Sequence, residues 1–305
     1  MSSSFKPTPL HAIAFSLIAG LAGYVYLQVK TTTTPPSTPS NTTSAQSSIS
    51  STSSEGVPSV PTAVSLLKDL SAKARVQHTR CLNLVLKEDP EGPALLDLFN
   101  EHTGYALISG PEQLAFDLTE ANTKQVMIVV SSRRERTLNR FPAGANWFYE
   151  DARRAIYAPP LADYSDLWTG VRLAQQLMFA RDYLAGSVPR NPTDDQLQAE
   201  GLHANRFEAH LLDHWTKGEY LKQIDAWLAS EAQTPDAPTA WYRKPDEALY
   251  QSLQKLFPES LSRDESASRH GSLIATLNFR LGEKKGLSDA VIANSMNASL
   301  FHSHN

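Results

Sequence analysis

A single cysteine, Cys81, stands in a chain of 305 residues. No intrachain disulfide can form, and no cysteine-built zinc cluster is available. An excess of positive charge is missing too: 28 Lys and Arg against 32 Asp and Glu leave a formal net charge of −4. That balance leaves no basic footprint, and no nucleic-acid partner is expected. The phosphate-cradling G-x-x-x-x-G-K-[ST] loop, the dinucleotide G-x-G-x-x-G turn and the G-x-S-x-G nucleophile elbow are all absent. No fixed-period repeat is visible, which disfavours a helical solenoid. With 41% hydrophobic and 20% charged residues, a wholly disordered chain and a multi-span transporter are excluded.

Charge is scarcest at the N-terminus. Between Pro7 and Leu67 the only charged residues are Lys30 and Glu55. Residues 10–29, LHAIAFSLIAGLAGYVYLQV, carry no charge from Ala12 onward. At a rise of about 1.5 Å per residue this run covers most of a ~30 Å hydrocarbon core, so it reads as a transmembrane anchor behind a short flank, residues 1–9. A cleaved signal peptide is the competing reading. The bulky Tyr24, Val25, Tyr26 and Leu27 offer no small-x-small site after the apolar run. Lys6 and the free amine before the run outweigh Lys30 after it, which places the N-terminus in the cytoplasm and the remainder outside it. Residues 30–61 are dominated by Ser, Thr and Pro and hold little that is apolar, so they are expected to form a disordered tether. Asn41-Thr42-Thr43 fits a glycosylation acceptor for a secretory route.

Residues 62–305 read as one soluble α+β domain, mostly helical with a small sheet. Helical spacing predicts a helix over 63–86 and a second over 94–102, stopped by Gly104. Strands are expected at 105–109, 115–119, 125–130 and 155–158. Arg133, Arg134, Arg136 and Arg140 follow the third of these and read as a solvated loop, since no aromatic platform interleaves them. Helices follow at 166–185, from the Thr193 cap to 215, and at 219–230, 246–257, 264–282 and 288–300. Cys81 lies on or beside the apolar stripe of the first helix and reads as a buried, inert thiol.

The helix over 166–185 contains Leu173-Ala174-Gln175-Gln176-Leu177-Met178-Phe179-Ala180. This resembles the active-site helix of zincin metallopeptidases, where H-E-x-x-H holds zinc through two histidines one turn apart and the glutamate activates the zinc-bound water. Aligned on that frame, Gln175 and Phe179 occupy the histidine positions and Gln176 the glutamate position. None of the three supplies the family's chemistry. Zincins of the glutamate type take a third ligand from a following helix, and Glu208-Ala209-His210 stands about thirty residues downstream in a similar context. The resemblance covers residues 155–215, a minority of the chain, and implies a strand-loop-helix-helix unit around a former active-site cleft of Gln175, Gln176, Phe179 and Glu208. It implies no catalytic residue and no cofactor. The expected role is non-catalytic: binding, scaffolding or regulation, with a polypeptide as the partner in the cleft.

Two rivals stand beside it. His210 and His214, one turn apart, resemble the inverted H-x-x-E-H motif with Asp213 in place of the glutamate. With Glu208 they would form a zinc site for a metal-dependent hydrolase, and His203 is close in sequence. His302 and His304 read as solvated. The other rival is a plain helical interaction module unrelated to peptidases.

The anchor generates a test. The full chain is expected to stay in the membrane fraction through carbonate and high-salt washes, because hydrophobic burial is insensitive to both. A soluble protein whose mature N-terminus lies at or beyond the apolar run would identify a cleaved signal.

Overall fold

Five consecutive apolar residues, Val126–Val130, are all buried and lie at the centre of a sheet. The computed structural model describes residues 63–109, 113–116, 124–130, 147–189, 192–231 and 245–302. The expected anchor (10–29), the tether (30–61) and the arginine cluster (133–140) lie outside the described residues. Among the described residues, no helix is long and apolar enough to cross a membrane.

In chain order the elements are α1 (Ala63–Leu86), α2 (Gly92–His102), β1 (Thr103–Ser109), β2 (Gln113–Phe116), β3 (Val126–Val130), β4 (Phe148–Glu150) and β5 (Ala155–Ala158). Helices α3 (Asp166–Leu184), α4 (Asp194–Trp215), α5 (Glu219–Glu231), α6 (Glu247–Gln254), α7 (Arg263–Lys284) and α8 (Asp289–His302) complete them. The class is α+β, mostly helical with a small mixed sheet, as the order of helices, strands and helices predicts.

The five-stranded sheet has the order β2-β1-β3-β5-β4. Strands β1, β3 and β5 are parallel, and β2 and β4 close the two edges antiparallel. Side chains alternate with the pleat. Val126, Ile128, Val130, Ile156, Ala158 and Tyr105 join the main core with the helices. Met127, Val129, Ala155, Tyr157 and Ala106 form a smaller cluster on the other face, with Phe148 stacked on Tyr157.

Helix α3 is the axis of the molecule and packs against α1, α2, α4 and strands β4 and β5. The approach to α1 is close at Gly170, where an added Cβ would stand 2.3 Å from the Cys81 carbonyl oxygen. Any larger residue there would force the helices apart. The start of α3 is fastened to the start of α7. Ser165 caps α3 by accepting from Trp168 N. The buried Glu265 carboxylate in turn accepts from Ser165 N at 3.0 Å, from Ser165 Oγ at 2.5 Å and from Arg269 Nη2 at 2.5 Å. Thr193 and Gln196 form a reciprocal capping box at the start of α4, as their spacing predicts.

Several boundaries differ from the expectation. Helix α2 begins at Gly92, because proline is tolerated in a first turn where its missing N–H costs nothing. It does not stop on a left-handed Gly104. Thr103 turns directly to extended backbone (φ −107°, ψ 139°), its hydroxyl donates to the Phe99 carbonyl oxygen, and Gly104 lies inside β1. Strand β4, three residues long, has no expected counterpart; a run that short carries no periodicity to read.

His78 of α1 is buried where the sheet meets the helices. Its Nδ1 lies 2.9 Å from the Tyr105 hydroxyl, and Trp147 and Arg75 are its neighbours. Burial, and then the Arg75 charge, lower its pKa to about 4 from an ordinary 6.5. The unfolded chain therefore takes up a proton that the folded chain refuses between those values. Stability is expected to be full above pH 6.5 and to fall as pH drops toward 4, by up to about 3 kcal/mol. Urea unfolding across that window checks this, and His78→Gln is expected to flatten the acid limb.

Candidate functional site

Almost every position of α3 is buried, including Arg172, Gln175 and Gln176. A helix sealed on all sides has no solvated face for polar side chains, so each must find its partner inside the protein. Glu208 of α4 is that partner. Its Oε2 accepts from Arg172 Nη1 at 2.7 Å and from Gln175 Nε2 at 2.9 Å, and its Oε1 accepts from Ser272 Oγ of α7. Gln175 Nε2 also lies 3.3 Å from the Ala204 carbonyl oxygen, and Gln176 Nε2 donates to Gln175 Oε1 at 3.3 Å. The side-chain carbonyl oxygen of Gln176 is buried with no hydrogen-bond partner among the described residues. Phe179, one turn beyond Gln175, is fully buried in the main core.

The structure thus brings Gln175, Gln176 and Glu208 into one buried network and packs Phe179 beside it. Arg172 and Ser272, which the sequence reading did not single out, complete it. At Glu208 the network is closed. Both Glu208 oxygens are occupied, and its charge is matched by a guanidinium at hydrogen-bond distance. A carboxylate so engaged has no free oxygen to offer a metal ion.

His210 and His214 face elsewhere. His210 Nε2 stands 2.9 Å from Asp89 Oδ2 in an ion-pair contact that lacks hydrogen-bond geometry, and the imidazole is 56% exposed. His214 Nε2 lies 3.8 Å from Glu88 Oε2 and lines a shallow cleft with Trp215, Lys87 and Lys217. Asp213 Oδ1 accepts from Leu221 N at 2.9 Å and so holds the turn into α5. Glu208 points into the core while both histidines point toward the α1–α2 loop, so these residues are not assembled around a common point.

A different trio is. Asp182 in the last turn of α3 and Glu200 and His203 of α4 place ligand atoms within 4.8 Å of one another. Asp182 Oδ1 accepts from Arg181 Nε at 2.9 Å, and its Oδ2 lies 3.8 Å from His203 Nδ1. Burial, then the Asp182 charge, push the Glu200 carboxyl up to about 7. The signal available in the sequence was the i,i+3 spacing of Glu200 and His203; Asp182 reaches them only through the packing of α3 on α4. Cys81 is buried beside Asp166, and desolvation first raises its thiol pKa to about 12, which makes it inert. His304 and the side chain of His302 lie outside the described residues.

Compared with family models, curated proteins and solved structures, the chain matches none.

The buried Arg172–Glu208 pair yields a stability test. Removing one partner strands a charge in the core, and Arg172→Met is expected to destabilise the fold by about 3–5 kcal/mol. Adding Glu208→Gln to that variant should recover much of the loss, because no unpaired charge remains. Urea unfolding of both variants measures the coupling; equal losses in the two would mean that the charges do not act as a pair.

Proposed function

We propose that this chain is a membrane-anchored, non-catalytic protein of zincin-like construction that acts by binding, scaffolding or regulation. Residues 10–29 hold it in the bilayer, residues 30–61 tether it, and the α+β domain lies outside the cytoplasm and engages a polypeptide partner. The observation that carries the reading is the contact between Gln175 and Glu208 across two adjacent helices, with Arg172 bonded to the same carboxylate oxygen. The resemblance assigns Gln175 and Glu208 to two ligand positions. Their side chains meet, but an amide and a guanidinium stand where an imidazole and a cation would be needed. Phe179 offers no ligand atom. Gln176 offers no base.

The hydrolase alternative built on Glu208, His210 and His214 has less support, since Glu208 is committed to Arg172, Gln175 and Ser272 on the opposite side from the two imidazoles. A module without peptidase ancestry would need neither the Gln175–Glu208 contact nor the strand-loop-helix-helix order that precedes it.

The purified full chain is expected to leave a mixed peptide library uncleaved, with or without added zinc. Chelator-sensitive cleavage that disappears in His210→Ala or His214→Ala, whose side chains lie outside the core, would overturn the non-catalytic reading.

A further inference from the structure

Helices α3 and α4 run antiparallel, and the seam between them holds polar contacts at two depths. The inner one is the closed Glu208 network. The outer one lies about two turns further along, where Asp182 follows Gln175 by seven residues and Glu200 precedes Glu208 by eight. We propose that Asp182, Glu200 and His203 form a binding site for one first-row divalent transition ion at this outer end of the seam.

Four observations converge on it. The three ligand atoms lie within 4.8 Å of one another, with Asp182 Oδ2 and His203 Nδ1 3.8 Å apart. Ligands of a tetrahedral zinc with bonds of about 2.1 Å are separated by about 3.4 Å, so small side-chain rotations close the site. Glu200 Oε1 is out of contact with solvent and has no hydrogen-bond partner among the described residues. Such an atom gains the partner it lacks when a cation arrives. The Glu200-x-x-His203 spacing sets both groups on one face of α4. Asp182 occupies the last turn of α3, where the negative end of the helix dipole favours a cation.

The surroundings fit the same chemistry. Arg181 Nε holds Asp182 Oδ1 at 2.9 Å, which orients the carboxylate and leaves Oδ2 for the ion, while Nη1 of the same guanidinium is drawn to Glu91. His203 is 56% exposed, so the remaining coordination positions open to water. One imidazole with two carboxylates suits zinc, manganese or ferrous iron better than calcium or magnesium, which take oxygen-only shells. The ion would tie the end of α3 to α4. The proposal is independent of the reading given to Gln175 and Glu208, which lie elsewhere along the seam.

The test uses untagged full-length protein in mild detergent, stripped with chelator and then dialysed. Zinc chloride is titrated calorimetrically, and thermal unfolding is followed with and without zinc. One equivalent of zinc is expected to bind and to raise the unfolding temperature. Glu200→Gln is isosteric and His203 is largely exposed, so both variants should fold, which circular dichroism verifies. Each is expected to weaken zinc binding by more than about ten-fold, whereas His210→Ala should match the parent. No saturable binding, binding unmoved by Glu200→Gln and His203→Ala, or binding lost in His210→Ala would each overturn the assignment. None of these outcomes touches the peptidase readout, so the two proposals fail separately.

Discussion

A guanidinium and two amides sit on a helix that has no face toward water. Helix α3 is enclosed by α1, α2, α4 and the sheet, so Arg172 cannot reach solvent and must be neutralised where it lies. Glu208 performs that neutralisation, and its position fixes much else. It sets α4 against α3 in one rotation, because only that rotation lets a single carboxylate meet both Arg172 and Gln175. It also draws in α7 through Ser272, so three helices share one buried anion. Apolar packing alone tolerates sliding and repacking; a charge with directed partners does not tolerate them equally well.

The same device recurs at the start of α3. Glu265 and Arg269 form a second buried pair, and the Glu265 carboxylate reaches both the backbone N–H and the hydroxyl of the capping Ser165. Arg269 also lies over the Trp168 ring. Helix α3 is therefore held against α7 at its N-terminal end and at its middle by two carboxylates that arrive from different helices. In both places the ion pair acts on orientation more than on net stability, since the cost of desolvating two charges offsets most of their attraction.

Much of this was legible from residue order. The helix spans, the strands at β3 and β5, and the cap at Thr193 follow from periodicity and from side-chain chemistry that acts over three or four residues. What escaped had no local signature. Strand β4 exists because β5 offers it an edge, and three residues are too few to betray alternation. Thr103 replaces a glycine stop because the next residues are recruited at once into β1. No local spacing marks Arg172, which is buried because α3 is enclosed by neighbouring elements, and enclosure is a property of five elements together. The histidines are the complementary case. His210 and His214 share a helix face by spacing, but spacing is silent on which face looks inward, and Glu208 lies on the other.

Along the α3–α4 seam the decisive variable is access to water. At the inner contact Glu208 is sealed, so its charge had to be met by the protein's own cation, and once Arg172 stands there no external ion has a vacancy to fill. At the outer contact the seam opens. Asp182 keeps one oxygen engaged with Arg181 and the other turned toward His203, while Glu200 is pressed between burial and a like charge. A fold that answered its inner carboxylate with arginine left the outer pair only partly answered. The physical difference between a closed network and a receptive one is thus a displacement of about two turns along the same pair of helices.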